Sequence, residues 1–412
     1  MDIHSYNVTI FGVLLALNVV LFLFSGKPFS VYFFRPSQVA INYVLFSFLF
    51  GAILFSHGNV YYKNYINESA LWSWQTILYS SIFMFSLIIH SYIYSYKIPT
   101  LFFKKNDCYA LPKTYGVLGL ILIYIYTKTE FYPLYMLGLP LATVPFFNEK
   151  FSFLTKFTFV IFFLVVLAPV AIFSKRLLIF PILSIIILLT YGKKISLLKV
   201  ALVPVMLMVM ILSFSVLRGY GGVQVDSFYS LLNAVYLYVN SDIFYSALGN
   251  NTEVTYFYFH SLNAIHIFND DIGELLFGKT LLKGVLLGWN STGLSLPIIS
   301  SIDAYTKLYD PSFRNIGGSF PVNYLSELFM NFHILGVFFA LLITDIFERF
   351  WFYCIKAKTS IGSKVSMALF LFIFILYYRG SSFDILVYNL ILAVIFVCII
   401  ESLQAMLKKN DQ

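Results

Sequence analysis

The feature that most constrains this chain is a series of apolar runs at or near the length of a membrane crossing. A helix needs roughly 18 to 20 apolar residues to span ~30 Å of hydrocarbon, where it must satisfy its own backbone N–H and C=O groups. Such runs fall at 7–24, 39–56, 74–95, 114–127, 131–147, 157–173, 177–192, 197–217, 323–346, 365–379 and 383–405. With 60% apolar and 11% charged side chains over 412 residues, the chain has too few charges to cover a soluble globule of that size. The expected fold class is all-α: a polytopic integral membrane protein of about eleven (ten to twelve) transmembrane helices. The span of the count comes from 114–147, where both runs are short and Pro133, Pro140 and Pro145 crowd the second. That pair stays open between two crossings and a re-entrant or kinked hairpin.

The series is interrupted once. Residues 218–322 contain no run long enough to cross, which divides the chain into N-terminal membrane helices at 1–217, a large loop at 218–322 and C-terminal membrane helices at 323–412. Basic residues cluster as Lys97, Lys104, Lys105 and Lys113, then Lys150 and Lys156, then Lys193, Lys194 and Lys199, then Arg349, Lys356, Lys358 and Lys364, and finally Lys408 and Lys409. Counting eleven crossings puts all five clusters on one side, so the positive-inside rule makes that side cytoplasmic and the 218–322 loop extracytoplasmic. Within the loop, the segments 228–239, 254–268 and 274–288 are apolar but broken by polar residues, and read as interfacial helices lying on the membrane surface. Trp289, Tyr256 and Tyr258 then fit an aromatic belt at headgroup level.

The net charge of +8 sits in short juxtamembrane pieces, which points to membrane lipids as partners and away from nucleic acid. Cys108, Cys354 and Cys398 are far apart with no metal-ligand spacing, so neither a disulfide framework nor a metal site is expected. The first apolar run lacks the basic lead and small-residue cleavage site of a removable signal peptide, and is expected to stay as a helix. The sequence contains no Asp-x-Asp, no GxSxG and no HExxH. A nucleotide donor and a metal-dependent mechanism are therefore disfavoured, and no cofactor is expected.

Six cations outside the five clusters stand out. Lys175 and Arg176 end one helix on the outer side, Arg218 ends another, Lys307 and Arg314 lie late in the loop, and Arg379 occupies the turn Tyr378-Arg379-Gly380-Ser381. Guanidinium groups at the mouth of a bundle are suited to a diphosphate, because the planar fork makes paired bonds to phosphate oxygens. The plain alternative is that each binds ordinary headgroups or caps a helix C-terminus. Among proton acceptors, His266 and Asp270 stand four apart and would share a helical face, either as an oriented imidazole or as one polar stripe of a surface helix. Glu327 stands just inside the run 323–346, in register with Asn323 and Asn331 at multiples of four. A carboxylate there is either a site residue or the N-cap of its own helix.

Residues 170–390 resemble the O-antigen and oligosaccharide repeat-unit polymerase family (Wzy) of bacterial inner membranes. The resemblance is carried by Gly317-Gly318-Ser319-Phe320-Pro321, by Ser326-Glu327-Leu328-Phe329-Met330-Asn331-Phe332, and by Tyr378-Arg379-Gly380-Ser381-Ser382-Phe383. Ser174-Lys175-Arg176 and Val216-Leu217-Arg218-Gly219 are similar to the family's basic residues before its large periplasmic loop. One departure is His333, where the family would place a glycine after Asn-Phe. The resemblance implies a multi-pass glycosyltransferase of the inner membrane in lipopolysaccharide biosynthesis. It would transfer a growing undecaprenyl-diphosphate-linked glycan onto a lipid-linked repeat unit at the periplasmic face. Arg176, Arg218, Arg314, Arg379 and Lys175 would hold the diphosphate, and Glu327 or the His266–Asp270 pair would deprotonate the attacking hydroxyl. Undecaprenyl-diphosphate-linked oligosaccharides are the implied partners, with a chain-length regulator left open. An O-antigen ligase is the nearest alternative, and a lipid-linked oligosaccharide flippase is one from another class.

Overall fold

The structure, a computed structural model, describes residues 3–56, 74–97, 112–147, 151–173, 253–269, 273–285, 299–356, 361–380 and 382–410, with isolated positions at 183, 229, 230, 233, 236 and 237. All regular structure among the described residues is helical, as the apolar periodicity requires. The N-terminal helices are α1 (Ile3–Ser25), α2 (Phe29–Phe33), α3 (Pro36–Ser56), α4 (Trp74–Ser95), α5 (Pro112–Thr129), α6 (Tyr132–Phe147) and α7 (Phe153–Phe173). The later ones are α8 (Glu253–Asn269), α9 (Lys279–Val285), α10 (Ser301–Tyr309), α11 (Pro311–Asn315), α12 (Tyr324–Phe332), α13 (Gly336–Lys356), α14 (Ile361–Gly380) and α15 (Phe383–Asn410). Among the described residues, five stretches have the length and apolarity of membrane spans: Ser5–Ser25, Pro36–Phe55, Trp74–Ser95, Tyr324–Phe352 and Phe383–Ser402. The runs expected at 177–192 and 197–217 lie outside the described residues.

Large apolar side chains stay exposed along these spans, among them Leu23 and Phe24 on α1, Phe46 and Phe50 on α3, and Val394 and Ile395 on α15. Water does not tolerate faces of that extent, whereas hydrocarbon does. The core lies between them. Every residue of Leu369–Tyr378 is buried, so this part of α14 is enclosed on all sides and packs against α3, α6 and α15. The prolines at 133, 140 and 145 fall within α6, which forms a tight hairpin with α5 through the turn at Glu130 (φ 54°).

Three expectations are corrected. The segment 254–268 does not lie on a surface: residues 257–267 of α8 are all buried, enclosed by α3, α12 and α4. Its polar residues are accommodated because they find partners. The Tyr305 hydroxyl bonds His260 Nδ1 at 2.8 Å and accepts from Asn263 Nδ2 at 2.8 Å. Tyr258, assigned to a headgroup belt, is fully buried and its hydroxyl accepts from Asn7 Nδ2 at 2.8 Å. The run 323–346 is also not one helix. It breaks at His333, with φ 52° and ψ −137°, into α12, a 3-10 turn at His333–Leu335 and α13. The break is tightly packed: a Cβ on Gly336 would come within 2.7 Å of the Leu328 carbonyl oxygen. Segment 228–239 and Trp289 lie largely or wholly outside the described residues.

The broken span carries two fully buried glutamates, Glu327 in the first turn of α12 and Glu348 in α13. Glu348 Oε2 lies 3.6 Å from Arg35 Nη1, with both side chains fully buried. Arg35 also donates from Nη2 to the Ser91 carbonyl and hydroxyl at 2.9 and 3.0 Å, and from Nε to the Tyr32 carbonyl at 3.2 Å. These bonds tie α2, α3, α4 and α13 into one polar centre. The other glutamate has different surroundings.

Candidate functional site

Asn323 begins the site. Its Oδ1 accepts the Ser326 backbone N–H at 2.8 Å, so it is the N-cap of α12, and its Nδ2 donates to Ser261 Oγ at 2.6 Å on α8. With the cap supplied there, Glu327 is not the N-cap of its own helix. Its carboxylate reaches across to α15, where the backbone N–H of Phe383 meets Oε1 at 3.1 Å and Oε2 at 3.0 Å. Phe383 is the first residue of α15, so the anion occupies that helix's positive end. Gly380 makes the approach possible. Its φ is 147°, and a Cβ there would come 2.9 Å from the Pro321 Cβ, displacing the start of α15 from Glu327.

Three more elements close around the carboxylate. The hydroxyls of Thr280 on α9, Ser301 on α10 and Tyr377 on α14 all face it. Asn331, one turn beyond Glu327, donates from Nδ2 to Thr280 Oγ1 at 2.7 Å, which leaves the Thr280 hydroxyl proton for the carboxylate. The Ser301 and Tyr377 hydroxyls are thus directed at the carboxylate, so the buried anion is ringed by hydroxyl donors. Beside it, Lys283 Nζ lies 3.3 Å from Asp384 Oδ2, with side-chain exposures of 20% and 11%. Asp384 in turn accepts from the Ser382 hydroxyl. One cation, two carboxylates and a helix N-terminus therefore meet at a partly open edge.

The remaining expected site residues are placed unequally. His266 is buried on α8, and its expected partner Asp270 lies outside the described residues. The imidazole of the neighbouring cluster is that of His260, where burial pushes the pKa down to about 3 and the ring stays neutral against Tyr305. Arg314 is described and pairs with Asp303 at 2.9 Å, both partly exposed. Asp310 caps α11 through the Phe313 N–H at 2.9 Å; with the Ser312 hydroxyl, that bond holds its carboxyl below the usual range. Arg379 stands in the last turn of α14, and its side chain is outside the described residues, as are Lys175, Arg176 and Arg218.

The residues missed were Thr280, Lys283, Tyr377 and Asp384. Thr280 and Lys283 are three apart and share one face of α9, and Ser382-x-Asp384 opens the last apolar run with a capping pattern. Both signals are local, but neither says that the two meet. No family model, curated protein or solved structure matches this chain.

Proposed function

We propose that this protein is a membrane-embedded, lipid-diphosphate-dependent glycosyltransferase: an O-antigen polymerase that transfers a growing undecaprenyl-diphosphate-linked glycan onto a lipid-linked repeat unit at the periplasmic face. The observation that carries the reading is the buried Glu327 carboxylate at the start of α15, with the Thr280, Ser301 and Tyr377 hydroxyls around it and the Lys283–Asp384 pair at its edge. In the reaction, Glu327 accepts the proton of the acceptor sugar hydroxyl as that oxygen bonds to the anomeric carbon of the donor glycan. The bond from the anomeric carbon to the diphosphate oxygen breaks, and its electron pair leaves with the lipid diphosphate. Lys283 stabilises that charge, with Arg314, Arg379, Arg176, Arg218 and Lys175 as the further cations of the diphosphate clamp.

Deleting the gene and resolving the cell's lipopolysaccharide on a gel tests this. Loss of a polymerase leaves core capped by one repeat unit, whereas loss of a ligase or of a flippase leaves bare core. Bare core would overturn the polymerase reading.

A further inference from the structure

We propose that Asp384 competes with the lipid diphosphate for Lys283, yielding the cation during transfer and reclaiming it as the lipid diphosphate product leaves. The inference rests on the glycosyltransferase reading above and gives that site a means of product release.

The pair is suited to exchange. Lys283 Nζ lies 3.3 Å from Asp384 Oδ2, longer than a close charge-assisted bond, and the side chains are 20% and 11% exposed. A pair so placed contributes little by itself, so a more highly charged anion can displace the carboxylate. The partners stand on different elements that pack together, Lys283 in the last turn of α9 and Asp384 in the first turn of α15. A lysine ammonium on its four-carbon stem can turn from one anion to another without movement of either helix. Asp384 is held in place: the Ser382 hydroxyl donates to its Oδ1, and the first turn of α15 favours a negative charge there.

The charges give the exchange its direction. Glu327 and Asp384 lie close enough for each carboxylate to act on the other, so two anions share this edge with one cation. A second carboxylate weakens the hold of Lys283 on any diphosphate, and it does so unequally along the reaction. In the donor, the outer phosphate is esterified to the sugar and carries about one charge. When that bond breaks it becomes a monoester, with a second pKa near ~6 and about 1.5 to 2 charges at neutral pH. That added charge would bind the product to Lys283 more firmly than the donor, and a fixed carboxylate beside the lysine repels the product more than the donor. Product release sets the turnover rate of many enzymes, and here Asp384 would be the residue that eases it.

The test uses the full-length protein in detergent, with undecaprenyl diphosphate as the probe. Wild type, Asp384→Asn and Asp384→Ser are compared at pH 7, after melting has shown which variants are folded. Asparagine keeps the size of the side chain and an acceptor for the Ser382 hydroxyl, and serine supplies a second neutral side chain should the first variant fail to fold. The expected result is undecaprenyl diphosphate bound about tenfold more tightly by the neutral variants, about 1.4 kcal/mol. In polymerisation assays with lipid-linked repeat units, inhibition by added undecaprenyl diphosphate should strengthen by the same factor. A residue that merely supports the start of α15 would give weaker or unchanged binding, never tighter. If wild type polymerises and no folded neutral variant binds the probe more tightly, Asp384 is such a residue, and the glycosyltransferase reading stands without it. If wild type neither binds undecaprenyl diphosphate nor polymerises, the reading and the inference fall together.

Discussion

Glu327 and Phe383 are joined across two helices: the carboxylate of one, in α12, receives the backbone N–H of the other, the first residue of α15, through both oxygens at 3.1 and 3.0 Å. The contact fixes the carboxylate's direction and gives it the positive end of a helix.

Replacing Glu327 by Gln keeps an acceptor for Phe383 and removes the base. Glycan transfer in membranes supplied with lipid-linked repeat units should fall by about 10²-fold or more, the usual contribution of a general base. Abundance and melting should stay close to wild type. A Gln variant that transfers at the wild-type rate would leave Glu327 as nothing more than a cap for α15.

Lys283 is predicted to act on rate and not on stability. Its pairing with Asp384 is partly solvated, so Lys283→Met should change unfolding free energy by about 0 to 1 kcal/mol. Loss of a charge that stabilises the leaving diphosphate should cost about 2 to 4 kcal/mol in the transition state, or tens to hundreds-fold in rate. Lys283→Arg should retain most of the rate. Parallel melting and transfer assays separate the two effects, and a melting loss that tracks the rate loss would make Lys283 a structural residue.

His333 is held at φ 52° in a conformation that L residues avoid. His333→Gly should relieve about 1 to 2 kcal/mol of backbone strain, partly offset by about 0.5 to 1 kcal/mol from the lost ring contact with Phe329. The net expectation is a small rise in melting temperature. His333→Val, β-branched at the same φ, should lower it. Equal melting for the glycine and valine variants would show that the break between α12 and α13 carries no strain.

At the second buried glutamate, Glu348→Gln should strand the Arg35 guanidinium inside the bundle. Removing one partner of a buried ion pair costs about 3 to 5 kcal/mol, whereas replacing both by apolar residues of similar volume is often close to neutral. The double variant Arg35→Met with Glu348→Leu should therefore recover most of the stability lost in Glu348→Gln. Chemical denaturation or folded yield in the membrane reads the difference, and a double variant less stable than the single one would contradict it.

What was legible in the residues was local. The length of apolar runs marks the helices α1, α3, α4 and α15, because a backbone in hydrocarbon has no other way to satisfy itself. The spacing of Asn323, Glu327 and Asn331 by fours places three polar groups on one side at α12, and an acid inside an apolar run makes a candidate site residue. What was not legible is which surface each face meets. The Glu327–Phe383 contact joins residues 56 apart in the chain, and Lys283 reaches Asp384 from a short helix in the large loop. Segment 254–268 has the composition of a surface helix, yet it is buried: Tyr305 and Asn323 satisfy its polar side chains from other elements, and the Ser326 hydroxyl donates to its Ser261 carbonyl. Helices that are apolar nearly all round carry no periodic signal for their neighbours, so their arrangement is set by packing and by hydrogen bonds between distant residues.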